Sequence, residues 1–153
     1  MNTVVRGGLA GTVGTGVMTL VIAVGRAAGL LRTPPPRQII ENVAAKVGIR
    51  HRLPEPAVQA SAMAAHLGYG ATSGVLYTLV RPLLPESPML AGLGYGGAVW
   101  GASYLGLMPR LGLYPGPKAD SLLRVAVMIA AHAVFGVGVA ETERRLRDGR
   151  SAG

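Results

Sequence analysis

Residues 7–25 read GGLAGTVGTGVMTLVIAVG, a run of 19 residues without a charge. Residues 56–80 and 87–109 also lack charge, and so do residues 125–140, a run that lengthens if Arg124 reaches back to the membrane surface. A helix needs about 20 apolar residues to cross a bilayer. The sequence therefore predicts four transmembrane helices, at about residues 7–28, 57–80, 88–109 and 121–141.

The composition agrees with a membrane location. Of the 153 residues, 50% are hydrophobic and only 14% are charged, whereas soluble domains carry about 25% charged residues. A soluble protein with four buried core helices would need more charge to cover its surface. We therefore expect a single, all-α integral membrane domain. The absence of cysteine excludes disulfides and thiolate metal sites.

The connection between the first two predicted spans contains a fifth helix. Apolar residues recur at helical spacing, which predicts a short amphipathic helix at about residues 35–47 that lies in the membrane interface or caps the bundle. Residues 143–153 form a basic polar tail. We expect contacts with anionic lipid headgroups from the basic residues in and after the short helix: Arg37, Lys46, Arg50 and Arg52.

The two halves of the chain resemble each other. Ala-Ala-His66 is followed by Gly70, and Ala-Ala-His132 is followed by Gly136. This similarity indicates two repeated helical hairpins, at about residues 1–82 and 87–143, although short Ala/Gly patterns also recur by chance. A true repeat would relate His66 and His132 by a pseudo-two-fold axis along the membrane normal.

Glycines spaced one helical turn apart suggest close helix packing. Such pairs let backbones approach each other in lipid, either within the bundle or between copies of the chain. The predicted packing glycines are Gly7, Gly11, Gly70, Gly74, Gly92, Gly96, Gly97 and Gly101. We expect most deep aromatic residues, among them Tyr69, Trp100 and Tyr104, to pack in the core.

His66 and His132 are the ionisable residues predicted at membrane depth. Such groups normally face the bundle interior and have a partner. Four interpretations are open: hydrogen bonding to a neighbouring helix, a proton or ion path, axial ligation of a b-type haem, or orientation of a small substrate such as a quinone. The expected cofactor content is none, with haem b as the alternative, and no metal site is predicted.

No sequence motif points to catalysis. The chain lacks G-x-x-x-x-G-K, H-E-x-x-H and G-x-S-x-G, so we expect a protein that is not an enzyme. The net charge of +8 comes from basic residues beside hydrophobic runs, which favours headgroups over nucleic acid as partners. Lys and Arg are distributed too evenly between the two predicted sides to set the orientation.

An ordered set of glycines and other residues resembles the YagU-like family of small bacterial inner-membrane proteins. The set comprises Gly7, Gly8, Leu9, Ala10, Gly11, Gly14, Thr15, Met18, Thr19, Pro35, Pro36, Arg37, His66, Tyr69, Gly70, Gly74, Gly96, Val99, Trp100, Tyr104, Pro109, Leu111, Gly112, His132 and Gly136. The resemblance implies a multi-span inner-membrane protein with a loose association with acid resistance. It implies no established activity and no catalytic residues.

These features favour a non-enzymatic accessory or oligomeric membrane protein linked to envelope or pH homeostasis. Its expected partners are the lipid bilayer and either a second copy of the chain or a membrane complex. The alternatives are a small transporter or proton channel that uses the two histidines, and a haem- or quinone-binding accessory subunit.

Overall fold

The computed structural model describes residues 1–31, 33–114, 116 and 120–149, and every regular element in this part of the chain is helical. The α-helices are α1 (Thr3–Ala27), α2 (Pro35–Lys46), α3 (Glu55–Val80), α4 (Pro88–Trp100), α5 (Met108–Arg110) and α6 (Leu122–Asp148). Two short 3₁₀ turns, Arg50–Arg52 and Arg81–Leu83, flank α3. A π-helical segment, Gly101–Leu107, joins α4 to α5.

Helix boundaries follow local capping chemistry. α1 begins before the predicted residue 7 because the Asn2 side chain accepts a hydrogen bond from the backbone N–H of Val5 at 2.8 Å. α2 begins at a proline, as predicted, and Gly48 with a φ of +73° follows its end. α6 continues past the predicted residue 141 because ion pairs one turn apart support its polar end, as between Glu141 and Arg145 at 2.8 Å.

The third predicted span is not a continuous α-helix. α4 gives way at Gly101 to the π segment, where the N–H of Met108 bonds to the carbonyl of Ser103, five residues back. Pro109 lacks the N–H that would bond to the carbonyl of Leu105 in an α-helix, so the preceding turn must rearrange. π segments of this kind often occur at functional sites.

α1 and α3 pack through backbone contact between glycines. A Cβ atom added to Gly7 would lie 2.6 Å from the Cα of Val75, and one added to Gly74 would lie 2.6 Å from the Cα of Gly11. A Cβ on Gly11 would likewise lie 2.8 Å from the carbonyl carbon of Gly70. The contacts run in opposite directions along the two helices, so the pair is antiparallel.

α4 and α6 pack in the same way. A Cβ on Gly92 would lie 2.6 Å from the Cα of Val137, and one on Gly136 would lie 2.8 Å from the Cα of Gly96. A Cβ on Gly96 would lie 3.0 Å from the carbonyl carbon of His132. This second antiparallel pair joins the first because α1 also packs closely against α6.

The glycine contacts of the two helix pairs correspond to each other, but in a different register from the one that aligns the two Ala-Ala-His sequences. They match when Gly7 is aligned with Gly92, Gly11 with Gly96, and Gly74 with Gly136. In this register the counterpart of His132 is Gly70, one helical turn from His66. An axis that relates the two glycine interfaces therefore does not relate the two histidines.

Two of the predicted packing glycines do not pack within the described chain. A Cβ atom on Gly97 or Gly101 would meet no atom within 4 Å, so both positions face outward. The remaining six lie at the α1–α3 and α4–α6 interfaces, as predicted. Gly14, which was not among the predicted packing glycines, contacts Phe135 of α6.

The predicted basic polar tail begins with a buried residue. The Glu143 side chain is only 1% exposed, and its carboxylate lies 3.0 Å from Arg6 of α1 and 3.1 Å from Arg147. This buried ion pair fastens the start of α1 to the end of α6. Residues 150–153 of the predicted tail lie outside the described residues.

Small residues fill the interior, and large apolar residues cover much of the outside. Leu31 is the only leucine among the buried described residues, whereas thirteen leucines are exposed. Examples on three helices are Leu20 (65% exposed), Leu79 (63%) and Leu122 (89%). This distribution is the reverse of that in a water-soluble helical protein.

Two helices, Thr3–Ala27 and Leu122–Asp148, are long and apolar enough to cross a membrane. α3 has 26 residues, but its glycine, hydroxyl and histidine residues lower its mean hydropathy, and α4 has only 13 residues before the π segment. The prediction of an all-helical chain is confirmed. Of the four predicted spans, only the first and the last meet these criteria.

Replacement of an interface glycine should destabilise the fold. We expect Gly96→Ala to lower the free energy of unfolding by about 1–3 kcal/mol, because the added methyl overlaps the α6 backbone. The control Gly94→Ala adds the same methyl on the open side of α4 and should be neutral or stabilising. Thermal unfolding of the purified protein followed by circular dichroism measures both, and equal effects would contradict the packing described here.

Removal of the buried carboxylate should also destabilise the fold. We expect Glu143→Gln to lower the free energy of unfolding by about 3 kcal/mol, because Arg6 then loses its partner in a poorly hydrated site. The matched control is Glu141→Gln, two residues away, where the carboxylate is 33% exposed and a small effect is expected. Chemical unfolding midpoints measure both variants. A larger loss of stability for Glu141→Gln than for Glu143→Gln would contradict the role of the ion pair between Glu143 and Arg6.

Candidate functional site

A cavity of about 220 Å³ lies among the long helices, and α2 closes one end of it. The cavity exists because α3 and α4 are joined by side chains instead of by glycine backbones. The Tyr95 hydroxyl donates to the carbonyl of Ser73 at 2.5 Å, and the hydroxyls of Tyr69 and Ser103 lie 2.6 Å apart. These bridges hold the two helices apart, whereas α1 and α6 pack directly.

Both predicted histidines line this cavity. His132 Nδ1 lies 2.8 Å from the carbonyl of Met128. Because a carbonyl only accepts, Nδ1 carries the proton and Nε2 of the neutral ring is left with its lone pair. His66 Nε2 is buried and has no hydrogen-bond partner in the part of the chain that the structure describes. The sequence thus identified two residues that meet at one site, and their role stays a prediction.

The π segment supplies a wall of the cavity that sequence analysis assigned to core packing. Trp100 and Tyr104 line the cavity and stack on each other, with ring centroids 5.5 Å apart and ring planes 25° apart. Trp100 Nε1 is buried, and no described residue forms a hydrogen bond with it. The wider turn of the π segment keeps these rings on the same side as Ser103. In the sequence, Pro109 is the one residue that indicates this irregular turn, because it lacks a backbone N–H.

A cluster around Asp120 anchors that wall. The hydroxyls of Tyr104 and Tyr114 both donate to Asp120, at 2.5 and 2.9 Å, and Arg124 lies 3.2 Å from the same carboxylate. Burial, together with the hydrogen bond to Asp120, raises the pKa of Tyr114 to about 12. The phenol therefore stays protonated and remains a donor at physiological pH.

A second, more polar cavity of about 420 Å³ adjoins the first on the side of α2. Its lining includes Arg26, Arg37 and Gln59. His66 lines both cavities. The imidazole therefore stands between an apolar chamber and a polar one.

α2 caps the bundle and is fastened there by polar bonds. Pro36 lines the apolar cavity, Asn42 donates to the carbonyl of Leu113 at 2.8 Å, and Lys46 donates to the carbonyl of Leu111 at 2.7 Å. The amphipathic helix therefore packs on the protein, the capping arrangement that the sequence had left open.

The basic residues predicted to contact headgroups have partners within the chain. Arg37 and Arg50 both pair with Glu55, at 2.7 and 2.9 Å, and Arg52 Nε lies 3.3 Å from His51. The hydrogen bond to Glu41 and the charge of Glu55 raise the pKa of Arg37. Contact with lipid headgroups stays a prediction for these residues and for Lys46.

Within the described ranges, no group of three or more His, Asp or Glu side chains could hold a metal ion. A ligand in the apolar cavity could form hydrogen bonds with the ring nitrogens of His66 and Trp100 and could contact aromatic faces.

Comparison with known proteins adds a family but no activity. A family model described as a family of unknown function, DUF6789, matches residues 1–152. No curated protein and no solved structure matches the chain. The match does not confirm the resemblance to YagU-like proteins.

The hydrogen bond between Tyr69 of α3 and Ser103 of the π segment yields a quantitative prediction. Tyr69→Phe and Ser103→Ala should each lower the free energy of unfolding by about 1 kcal/mol, because each removes the same hydrogen bond. The double variant should cost little more than either single variant. Strictly additive effects in thermal unfolding would show that the bridge does not contribute to stability.

Proposed function

The chain belongs to DUF6789, a family of unknown function, and we propose that it is a multi-pass protein of the bacterial inner membrane with four spanning segments. The observation that carries this proposal is the reversed distribution of side chains, with glycines inside and leucines outside. Exposed leucine is unfavourable in water but matches lipid, and small residues at the interfaces allow association where no hydrophobic force drives it. The resemblance to YagU-like proteins supports the same location.

The positions of the charges support four spans instead of two. Arg6 meets Glu143 at one end of the assembly, and Arg81 follows α3 at the same end because α3 runs antiparallel to α1. Glu55 and Arg124 mark the opposite end, at the starts of α3 and α6. Between these two levels α1, α3, α4 and α6 contain no Asp, Glu, Lys or Arg, and His66 and His132 are the two histidines there.

Three hydroxyl-bearing residues of α3 are compatible with a membrane interior because their hydroxyl groups are bonded within the protein. The hydroxyls of Thr72 and Thr78 donate to backbone carbonyls of their own helix, at 2.9 and 2.6 Å, and Tyr69 pairs with Ser103. Satisfied hydroxyl groups are common in transmembrane helices. This internal bonding supports α3 as a span despite its lower hydropathy.

We propose a non-enzymatic role, in which the protein binds a partner or a small molecule and contributes to envelope or pH homeostasis. The cavity beside His66 supports small-molecule binding. Gly97 and Gly101 face outward one turn apart, which supports association with a second copy or with another membrane helix.

A second candidate function is proton or ion movement, because His66 borders both the apolar and the polar cavity. Reconstituted protein would then conduct protons, and His66→Gln would abolish the flux while the outward His51→Gln would not. A b-type haem between the histidines is the remaining alternative. The cavity suits one substituted ring, so a four-ring macrocycle would require α3 and α4 to move apart.

The number of spans can be tested with the cysteine-free chain by introducing single cysteines at Arg52, Glu86 and Gly149. With four spans, Glu86→Cys reacts with a membrane-impermeant maleimide from the same side as Gly149→Cys. If only α1 and α6 crossed, Glu86→Cys would react from the side of Arg52→Cys.

Labelling of intact and lysed spheroplasts distinguishes the two arrangements, and Arg52→Cys and Gly149→Cys are the references for opposite sides. Recovery of the protein in the supernatant after ultracentrifugation, with all three cysteines reactive, would overturn the membrane proposal altogether.

A further inference from the structure

The apolar cavity reaches the outer surface of the protein between α3 and α4. Ala65 and Tyr69 line the cavity and are also exposed on the outside of α3, where Tyr69 is 44% exposed. In the proposed membrane arrangement this surface faces lipid. A molecule dissolved in the bilayer can therefore approach the cavity from the side, without passing through water.

Two ring nitrogens of residues that line the cavity have no hydrogen-bond partner among the described residues. Trp100 Nε1 can only donate, and His66 Nε2 can donate in the tautomer that carries its proton there. A buried polar group without a partner is costly, and native structures contain few of them. A ligand that carries carbonyl oxygens would supply an acceptor for each of these two nitrogens.

The shape of the cavity favours a flat ring. Trp100 and Tyr104 form a stacked aromatic wall, and the rest of the lining is largely apolar, with Met18, Met128 and Phe135 among it. An apolar cavity of about 150 Å³ is known to hold benzene. The present volume of about 220 Å³ therefore admits a single ring with small substituents.

We propose that this cavity binds the carbonyl-bearing ring of a membrane-soluble quinone, with the tail leaving between α3 and α4 into the lipid. Trp100 Nε1 and His66 Nε2 donate hydrogen bonds to the ring carbonyls, and the apolar side chains of the lining contact the ring. The inference rests on the proposed membrane location and adds the class of ligand.

The test uses the full chain in lipid nanodiscs and the probe decylubiquinone. Trp100 is the only tryptophan, so its fluorescence reports directly on the cavity. We expect saturable quenching that exceeds the quenching of free tryptophan amide in the same nanodiscs. Decane, which has the tail but no carbonyl, should not compete.

Paired variants locate the binding. Ala65→Phe fills the cavity and should weaken binding at least tenfold, whereas the neighbouring Ala64→Phe, which lies outside the cavity lining, should leave it unchanged. His66→Leu should also weaken binding, and His51→Leu, remote from the cavity, should not. Circular dichroism confirms that each variant is folded.

Absence of saturable quenching, equal competition by decane, or binding that survives Ala65→Phe would each overturn the quinone assignment. These failures are separate from failure of the membrane proposal, because the cysteine labelling at Glu86 reports on the spans alone. A quinone that fails to bind a correctly inserted protein would remove the ligand and keep the architecture.

Discussion

Backbone contact between glycines is the constraint on which the remaining structure depends. At Gly74 and Gly136, two helices approach so closely that a single methyl group would overlap the backbone of the neighbouring helix. Such contact gains dispersion attraction and dipole interactions between the two backbones, and it buries no large side chains. Most of the leucines are consequently left on the outside, an arrangement that supports the proposed membrane location.

The same packing explains where the cavity forms. Glycine contacts join α1 to α3 and α4 to α6, and α1 also packs directly on α6. A fourth interface of this kind, between α3 and α4, would close the assembly. Tyrosine bridges and the π segment occupy that place instead, so the departure from symmetry creates the space that His66 and Trp100 line.

Much of the architecture could be predicted from the sequence, because uncharged runs and glycine spacing report directly on helices and their contacts. The meeting of His66 and His132 at one cavity was not specified by their similar sequence surroundings, since the glycine contacts place them one turn out of register. The burial of Glu143 was missed because its partner Arg6 lies at the other end of the chain. The π segment was missed because the spacing of apolar residues along the sequence does not distinguish a π-helical turn from an α-helical turn.

The four-span arrangement places the outer face of α3 in lipid, and a fluorescent label on that face can test this placement. Leu76 is 51% exposed on that face. An environment-sensitive fluorophore attached to Leu76→Cys in nanodiscs should emit as in an apolar medium and be quenched by nitroxides on the lipid chains. Quenching by aqueous iodide instead, with emission typical of water, would contradict the account.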